Sequence, residues 1–175
     1  NSLTIFKQFL KQQREVGRRV VLIVDEAQGL TPKLLEDLRL FSNFQDNNQL
    51  LMQIFLVGQE SLMEIVRAPG MEQLHQRISA AAELKPLSLE QTIEYIVYRL
   101  TRVGWKNDPV ITDEVCNLVH KFSEGIPRLI NLICHRLFLH AGLKEKHKID
   151  GGDALIVVVE LHKEGLLTAG ARRAL

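Results

Sequence analysis

Cysteine is scarce in this chain, which has two among its 175 residues. Cys116 and Cys134 both fall in segments with helical patterning. Small buried thiols in a reducing compartment explain such a pair better than a disulfide framework does. His120 lies four residues after Cys116 and His135 follows Cys134, but the paired ligand spacing of a zinc site is missing. The cysteines therefore give a metal site little support.

Long apolar runs are missing as well. The longest one near the end, residues 154–159, is far too short to span a bilayer, and no cationic and apolar leader stands at the start. These absences predict a soluble cytoplasmic protein with no membrane segment in this chain. Neither sign of charge prevails, since 22 Lys and Arg oppose 21 Asp and Glu, so the charge neither requires nor excludes a nucleic-acid partner. The first residue is Asn1, and we expect the chain to be a piece of a longer protein.

One apolar stretch organises what is present. Residues 20–24 are apolar without alternation, which predicts a strand buried on both faces of a parallel sheet. Asp25 and Glu26 follow at the carboxyl end of that strand, where open α/β sheets bind ligands. An acidic pair there can hold magnesium, directly or through water, and polarise an attacking water. We interpret the pair as a Walker B motif, with Asp25 as the magnesium residue and Glu26 as the general base. The alternative is a buried strand that ends in a solvated acidic turn.

The patterning divides the chain into an α/β part, a helical part and a tail. Residues 1–86 alternate helix and strand, residues 87–163 are helical throughout, and residues 164–175 are a frayed tail. Strands are predicted at 20–24, 51–57 and 83–85, and helices at 3–16, 32–44, 61–67, 71–82, 88–103, 112–123, 127–141 and 149–163. This layout predicts a nucleotide-binding core followed by a helical lid. A helical extension without catalytic meaning is the alternative.

Gln59 follows the second predicted strand just as Asp25 follows the first. If these strands are neighbours, the Gln59 amide lies beside Glu26 and can orient the attacking water or contact a γ-phosphate. The alternative is a turn glutamine that bonds its own backbone.

Two arginines are further candidates for the site. Arg77, near the end of the last core helix, could reach a phosphate in a neighbouring subunit, or it is a solvated helical charge. Arg128 lies in the first turn of a lid helix, where the helix dipole favours anions, so an anionic ligand would explain its placement. The alternative for Arg128 is that its stem covers apolar surface.

Five segments, in this order, closely resemble the ExeA/GspA-like AAA+ ATPases, which include secretion ATPases, pilus-biogenesis ATPases of the MSHA type and relatives near exopolysaccharide loci. The segments are LIVDEAQ at 22–28, IFLVGQ at 54–59, QRI at 76–78, LKPL at 84–87 and GIPRLIN at 125–131. The resemblance implies an α/β AAA+ P-loop NTPase core followed by an all-helical lid, with ATP and Mg²⁺ as cofactors. It also implies that Asp25 and Glu26 form Walker B, Gln59 is sensor 1 and Arg128 is sensor 2. Arg77 becomes the arginine finger, acting in trans within a homo-oligomer.

The chain departs from the family in one respect, because it contains no run of the form G-x-x-x-x-G-K-[ST]. Gly17 is the only glycine before Asp25, so the loop that cradles the phosphates is absent. The core is therefore predicted to be truncated, with strands resembling the third, fourth and fifth of the family and an open edge where the first would lie. Either the strands resembling the fourth and fifth pair directly, or another chain fills the gap between them. Because an open edge invites strand addition, we expect crystal contacts or a dimer across it. This chain alone is predicted to bind ATP weakly and to be inactive.

The resemblance implies a cytoplasmic ATP hydrolase in the complete protein, with secretion or pilus components of the envelope as partners. Any attachment to the inner membrane would come through regions outside this chain. Two other functions stay open. One is a DNA-associated AAA+ regulator of the TniB transposition type, for which a basic lid would argue. The other is a non-catalytic interaction module that keeps the fold without the chemistry.

Overall fold

The computed structural model describes residues 2–167, which divide into two units between Ala82 and Glu83. The first unit contains α1 (Ser2–Glu15), β1 (Val20–Val24), a 3₁₀ turn (Ala27–Gly29), α2 (Pro32–Ser42), β2 (Gln45–Asp46), β3 (Gln49–Leu50), β4 (Met52–Leu56), α3 (Ser61–Arg67) and α4 (Glu72–His75). The second contains α5 (Leu89–Arg102), β5 (Val110–Ile111), α6 (Asp113–Ser123), α7 (Pro127–Leu143), β6 (Lys148–Ile149) and α8 (Gly151–Lys163). Most of the predicted tail, residues 168–175, lies outside the described residues.

A parallel pair of strands, β1 and β4, forms the centre of the first unit. Val20 lies opposite Met52 and Val24 lies opposite Leu56, so both strands end at the same edge. The pairing continues past that edge, since the Val57 N–H donates to the Val24 carbonyl at 2.9 Å. The first two predicted strands are thereby confirmed, although β4 is shorter than its apolar run. Their adjacency brings the residues that follow them together.

The β1–β4 pair is covered on one face only within residues 2–167. On the covered face, Leu22 and Ile54 pack against a cluster that includes the buried Leu10. On the other face, Ile23 is 66% exposed and Phe55 is 54% exposed. The prediction that residues 20–24 are buried on both faces is therefore wrong for this part of the chain. Unalternated apolar strands are typical of sheets covered on both sides, and here only one side has cover.

Two further predictions, for the segments at 71–82 and 83–85, are wrong. The helix expected at 71–82 spans only Glu72–His75, and residues 78–82 have no regular secondary structure. The strand expected at 83–85 is not a strand, and Leu84 is 98% exposed. An extended segment becomes a strand only when a neighbour pairs its backbone, and no described strand does so. The turn at residues 46–48 is a hairpin joining β2 to β3, with Asn47 and Asn48 at positive φ.

Four helices, α5 to α8, build the second unit around buried apolar side chains. The core includes Phe122, Ile130, Ile133, Val157 and Leu161. Ser88 begins α5 with a capping box, since the Gln91 N–H donates to Ser88 Oγ at 3.2 Å and Gln91 Oε1 accepts from the Ser88 N–H at 2.9 Å. Two helices start later than predicted. α6 begins at Asp113, after Thr112, which makes no side-chain cap bond, and α8 begins at Gly151 because Ile149 pairs in β6.

Candidate functional site

Three predicted site residues meet at the carboxyl edge of the β1–β4 pair. Asp25 and Glu26 leave β1 there, and Gln59 follows β4 after Val57 and Gly58. Gln59 Nε2 lies 3.5 Å from Glu26 Oε2, as the adjacency of the two strands predicts. All three residues are exposed at this edge. The structure thus brings together a carboxylate pair and an amide from consecutive strands, while their catalytic roles stay predictions.

The chain makes a sharp turn at Glu26, whose backbone is left-handed with φ 51° and ψ 38°. This region is sparsely populated by residues other than glycine, and such strain clusters at functional sites. Neighbouring bonds hold the turn: the Glu26 N–H donates to Asp25 Oδ1 at 2.8 Å, and the Ala27 N–H donates to the Val57 carbonyl at 2.9 Å. The fully buried Ala27 then anchors the 3₁₀ turn in the core, which leaves both carboxylates at the surface.

Gln28 is a site residue to which the sequence pattern assigned no role. Its Nε2 donates to Glu26 Oε2, and its Oε1 accepts from the Gln59 N–H at 3.1 Å. Gly58 makes this approach possible, because a Cβ at that position would lie 2.5 Å from Gln28 Oε1. The only signal in the sequence is the position of Gln28 within the Asp-Glu-Ala-Gln run, directly beside the acidic pair.

The acidic pair fits a magnesium ion held partly by other ligands. Mg²⁺ is usually bound by one or two carboxylates together with waters and phosphate oxygens. Asp25 and Glu26 supply such oxygens: Asp25 Oδ1 accepts from the Glu26 N–H and Glu26 Oε2 accepts from Gln28 and Gln59, which leaves one oxygen of each carboxylate without a hydrogen bond to the described residues. Within residues 2–167 no group of three or more side chains that could hold a metal by themselves occurs. Asp25 could therefore hold the ion only together with ligands from water and nucleotide.

Cys116 and Cys134 behave as structural thiols. Burial and the neighbouring Cys116 raise the pKa of Cys134 to about 12, and burial also raises the pKa of Cys116. Both thiols are thus protonated at neutral pH. His120 uses its Nδ1 in a 2.9 Å hydrogen bond with Thr92 Oγ1.

Arg77 lies in a turn rather than in a helix. The helix α4 ends at His75, and the Arg77 N–H donates to the Leu74 carbonyl at 2.9 Å. The side chain is exposed. The predicted helical position is wrong, but a guanidinium on an exposed turn is as able to reach a neighbouring subunit as one on a helix.

Arg128 is the second residue of α7 and is exposed. No acidic side chain lies in the first turn of this helix, so its N–H groups and Arg128 form an end that favours anions. The position of this helix start is fixed by Gly125, which has φ 72° and accepts at its carbonyl from the Leu87 N–H at 2.9 Å. A Cβ on Gly125 would lie 2.1 Å from the Leu87 carbonyl oxygen. Arg128 belongs to the second unit, and its sensor role stays a prediction.

Comparisons with known proteins agree with this architecture. Residues 2–66 match the AAA domain family. Over 162 residues the chain is 40% identical to general secretion pathway protein A of Aeromonas hydrophila. The aligned region makes up 91% of this chain but only 29% of that protein. The fold is similar to the RuvB Holliday junction branch migration motor of Thermotoga maritima, with a TM-score of 0.64 at 18% identity over 81% of this chain and 44% of that one.

A point mutant of the same RuvB gives a TM-score of 0.62 at 20% identity, over 81% of this chain and 45% of that chain. At such identities the likeness concerns the fold alone. It confirms the predicted fold class, a truncated AAA+ core with parallel strands followed by a helical part. The described residues also contain no helix long and apolar enough to cross a membrane.

Proposed function

We propose that this chain is part of an ExeA/GspA-like AAA+ ATPase, on the basis of its match to the AAA domain family and its 40% identity to general secretion pathway protein A. The complete protein would couple ATP hydrolysis to the assembly of a bacterial secretion, pilus or exopolysaccharide machine of the envelope. The observation that carries the ATPase proposal is the meeting of Asp25, Glu26 and Gln59 at the carboxyl edge of two parallel strands. The name of the Aeromonas hydrophila relative supports the link to secretion.

Each residue at the edge has a distinct task in this proposal. ATP bound with Mg²⁺ supplies the scissile phosphate and a cation that neutralises developing charge. Asp25 would hold that cation through water, and Glu26 would accept the proton of the attacking water as general base. Gln59, whose amide already lies at the Glu26 carboxylate, orients that water. Arg128 at the start of α7 contributes positive charge to the nucleotide phosphates.

This chain alone should bind ATP poorly, since it lacks the backbone loop and the lysine that cradle the phosphates. Isothermal titration calorimetry of Mg-ATP into the 175 residues is expected to show no saturable binding below about 1 mM. The complete protein serves as the positive control and should bind in the micromolar range. Tight binding by this chain would show that its described residues form a phosphate site without the loop.

Arg77 is expected to act in trans, so that Arg77→Ala lowers turnover by about 10³-fold and only in assembled oligomers. The reason is its exposed position in a turn, from which a guanidinium can enter a neighbouring subunit's site. Arg67→Ala, an exposed arginine at the end of α3, is the matched control and should keep wild-type activity. Phosphate release and oligomer size are measured together over a range of protein concentrations.

A mixing experiment separates a trans role from a local one. Oligomers mixed from Arg77→Ala and Glu26→Gln subunits should regain part of the activity, because a Glu26→Gln subunit still supplies an intact Arg77 to its neighbour. A mixture no more active than the two variants assayed alone argues for a local role and against the arginine finger.

A further inference from the structure

We propose that Gln28 is a positioning residue that couples the general base Glu26 to Gln59 during ATP hydrolysis. The inference rests on the proposed function and adds a residue to it. It rests on the side-chain amide of Gln28, whose nitrogen and oxygen both form hydrogen bonds. The Nε2 donates to the Glu26 carboxylate, and the Oε1 accepts from the Gln59 N–H at 3.1 Å. Gln28 therefore forms a bridge between the ends of β1 and β4, with a donor half at Nε2 and an acceptor half at Oε1.

The donor half of this bridge sets the orientation of the carboxylate. Gln28 Nε2 and Gln59 Nε2 both meet Oε2 of Glu26, the latter at 3.5 Å. Oε1 of Glu26 makes no hydrogen bond to residues 2–167. One oxygen is thus held by two amides, and the other is left for the attacking water. A carboxylate fixed in this way loses little entropy when it takes up the proton.

The acceptor half sets the position of Gln59. The Gln59 N–H donates to Gln28 Oε1, and this hydrogen bond fixes the backbone of Gln59. The Gln59 side chain can reach Glu26 only if its own backbone is held near β1. Removal of Gln28 would therefore loosen both partners at once.

The surroundings suit a glutamine in particular. Asparagine is one methylene shorter and could not span both partners, and glutamate could accept from the Gln59 N–H but not donate to Glu26. The buried Ala27 anchors the turn that carries Gln28, and Gly58 leaves the space that Gln28 Oε1 enters. Gln28→Glu therefore removes the donor half alone, and Gln28→Ala removes both halves.

The test compares Gln28→Ala, Gln28→Glu and wild type in the complete protein. Gln28→Ala is expected to lower kcat about tenfold with KM for ATP within about twofold, since positioning acts on the chemical step. Gln28→Glu should lower kcat at least as much, because it places a second carboxylate beside Glu26. Gln73→Ala, an exposed glutamine in α4, is the matched control and should leave both constants unchanged.

Hydrogen-exchange mass spectrometry of the peptide that contains Gln59 supplies a readout independent of turnover. Exchange at the Gln59 amide should accelerate about fivefold or more in Gln28→Ala and stay slow in Gln28→Glu, which keeps the acceptor oxygen. A merely structural role would change exchange in both variants and would lower the melting temperature of both.

The outcomes separate the two claims. If wild type hydrolyses ATP and both Gln28 variants keep its kcat, the positioning role is overturned while the proposed function stands. If wild type does not hydrolyse ATP, the proposed function fails and the positioning role with it, whatever the exchange data show. Unchanged exchange at Gln59 in Gln28→Ala would overturn the bridge itself.

Discussion

Replacement of Glu26 by Gln is expected to lower the ATP turnover of the complete protein by about 10²- to 10⁴-fold. The amide keeps the size of the carboxylate but cannot accept the proton of an attacking water. ATP affinity should change little, because Asp25 and the phosphate-binding groups remain in place. Steady-state phosphate release measures the turnover, and titration with a fluorescent ATP analogue measures the affinity.

Glu64→Gln is the matched control for this experiment. Glu64 is an exposed glutamate in the first turn of α3, in the same unit as Glu26. Its substitution should leave both constants at wild-type values. Hydrolysis at the wild-type rate by Glu26→Gln would show that another group takes the proton. A loss of ATP affinity with unchanged turnover at saturation would assign Glu26 to binding.

Gly125→Ala is expected to destabilise the second unit by about 3 kcal/mol, from left-handed backbone strain of about 1–2 kcal/mol and overpacking of about 1–3 kcal/mol. The strain comes from φ 72°, and the overpacking comes from a Cβ placed 2.1 Å from the Leu87 carbonyl oxygen. Because that carbonyl belongs to the backbone, it cannot turn aside as a flexible side chain would. Equilibrium urea unfolding followed by circular dichroism measures the loss.

Gly142→Ala, within α7 itself, is the opposite case. Gly142 lies near the end of α7, and nothing stands within 4 Å of a Cβ placed there. Alanine should stabilise the helix by about 0.5–1 kcal/mol. If Gly125→Ala were as stable as wild type, the contact with Leu87 would not fix the start of α7.

The parts of the fold that are encoded locally could be predicted from the sequence. Thr31 and Pro32 begin α2 as expected, with the Leu34 N–H donating to Thr31 Oγ1 at 3.3 Å. Ser88 begins α5 through its capping box. The segment at 83–85 shows the limit of this reasoning. Its residues are compatible with a strand, but a strand forms only beside a neighbouring strand, and the local sequence does not specify that neighbour.

Some of the site residues could likewise be predicted from the sequence, and others could not. Asp25, Glu26 and Gln59 were predictable as a group, because parallel neighbouring strands deliver their carboxyl ends to one edge. The role of Gln28 was not, since it depends on the missing Cβ of Gly58, thirty positions along the chain. The left-handed backbone of Glu26 could not be predicted either, because glutamate has no preference for that conformation.

The most direct measurement is a crystal structure of the complete protein with Mg²⁺ and a non-hydrolysable ATP analogue. The account predicts the γ-phosphate at the carboxyl edge of β1 and β4, with Asp25 bound to Mg²⁺ through water. It also predicts a water held between Glu26 and that phosphate, with the Gln59 amide beside it. A nucleotide bound elsewhere, with Asp25 and Glu26 facing only solvent, would contradict the account.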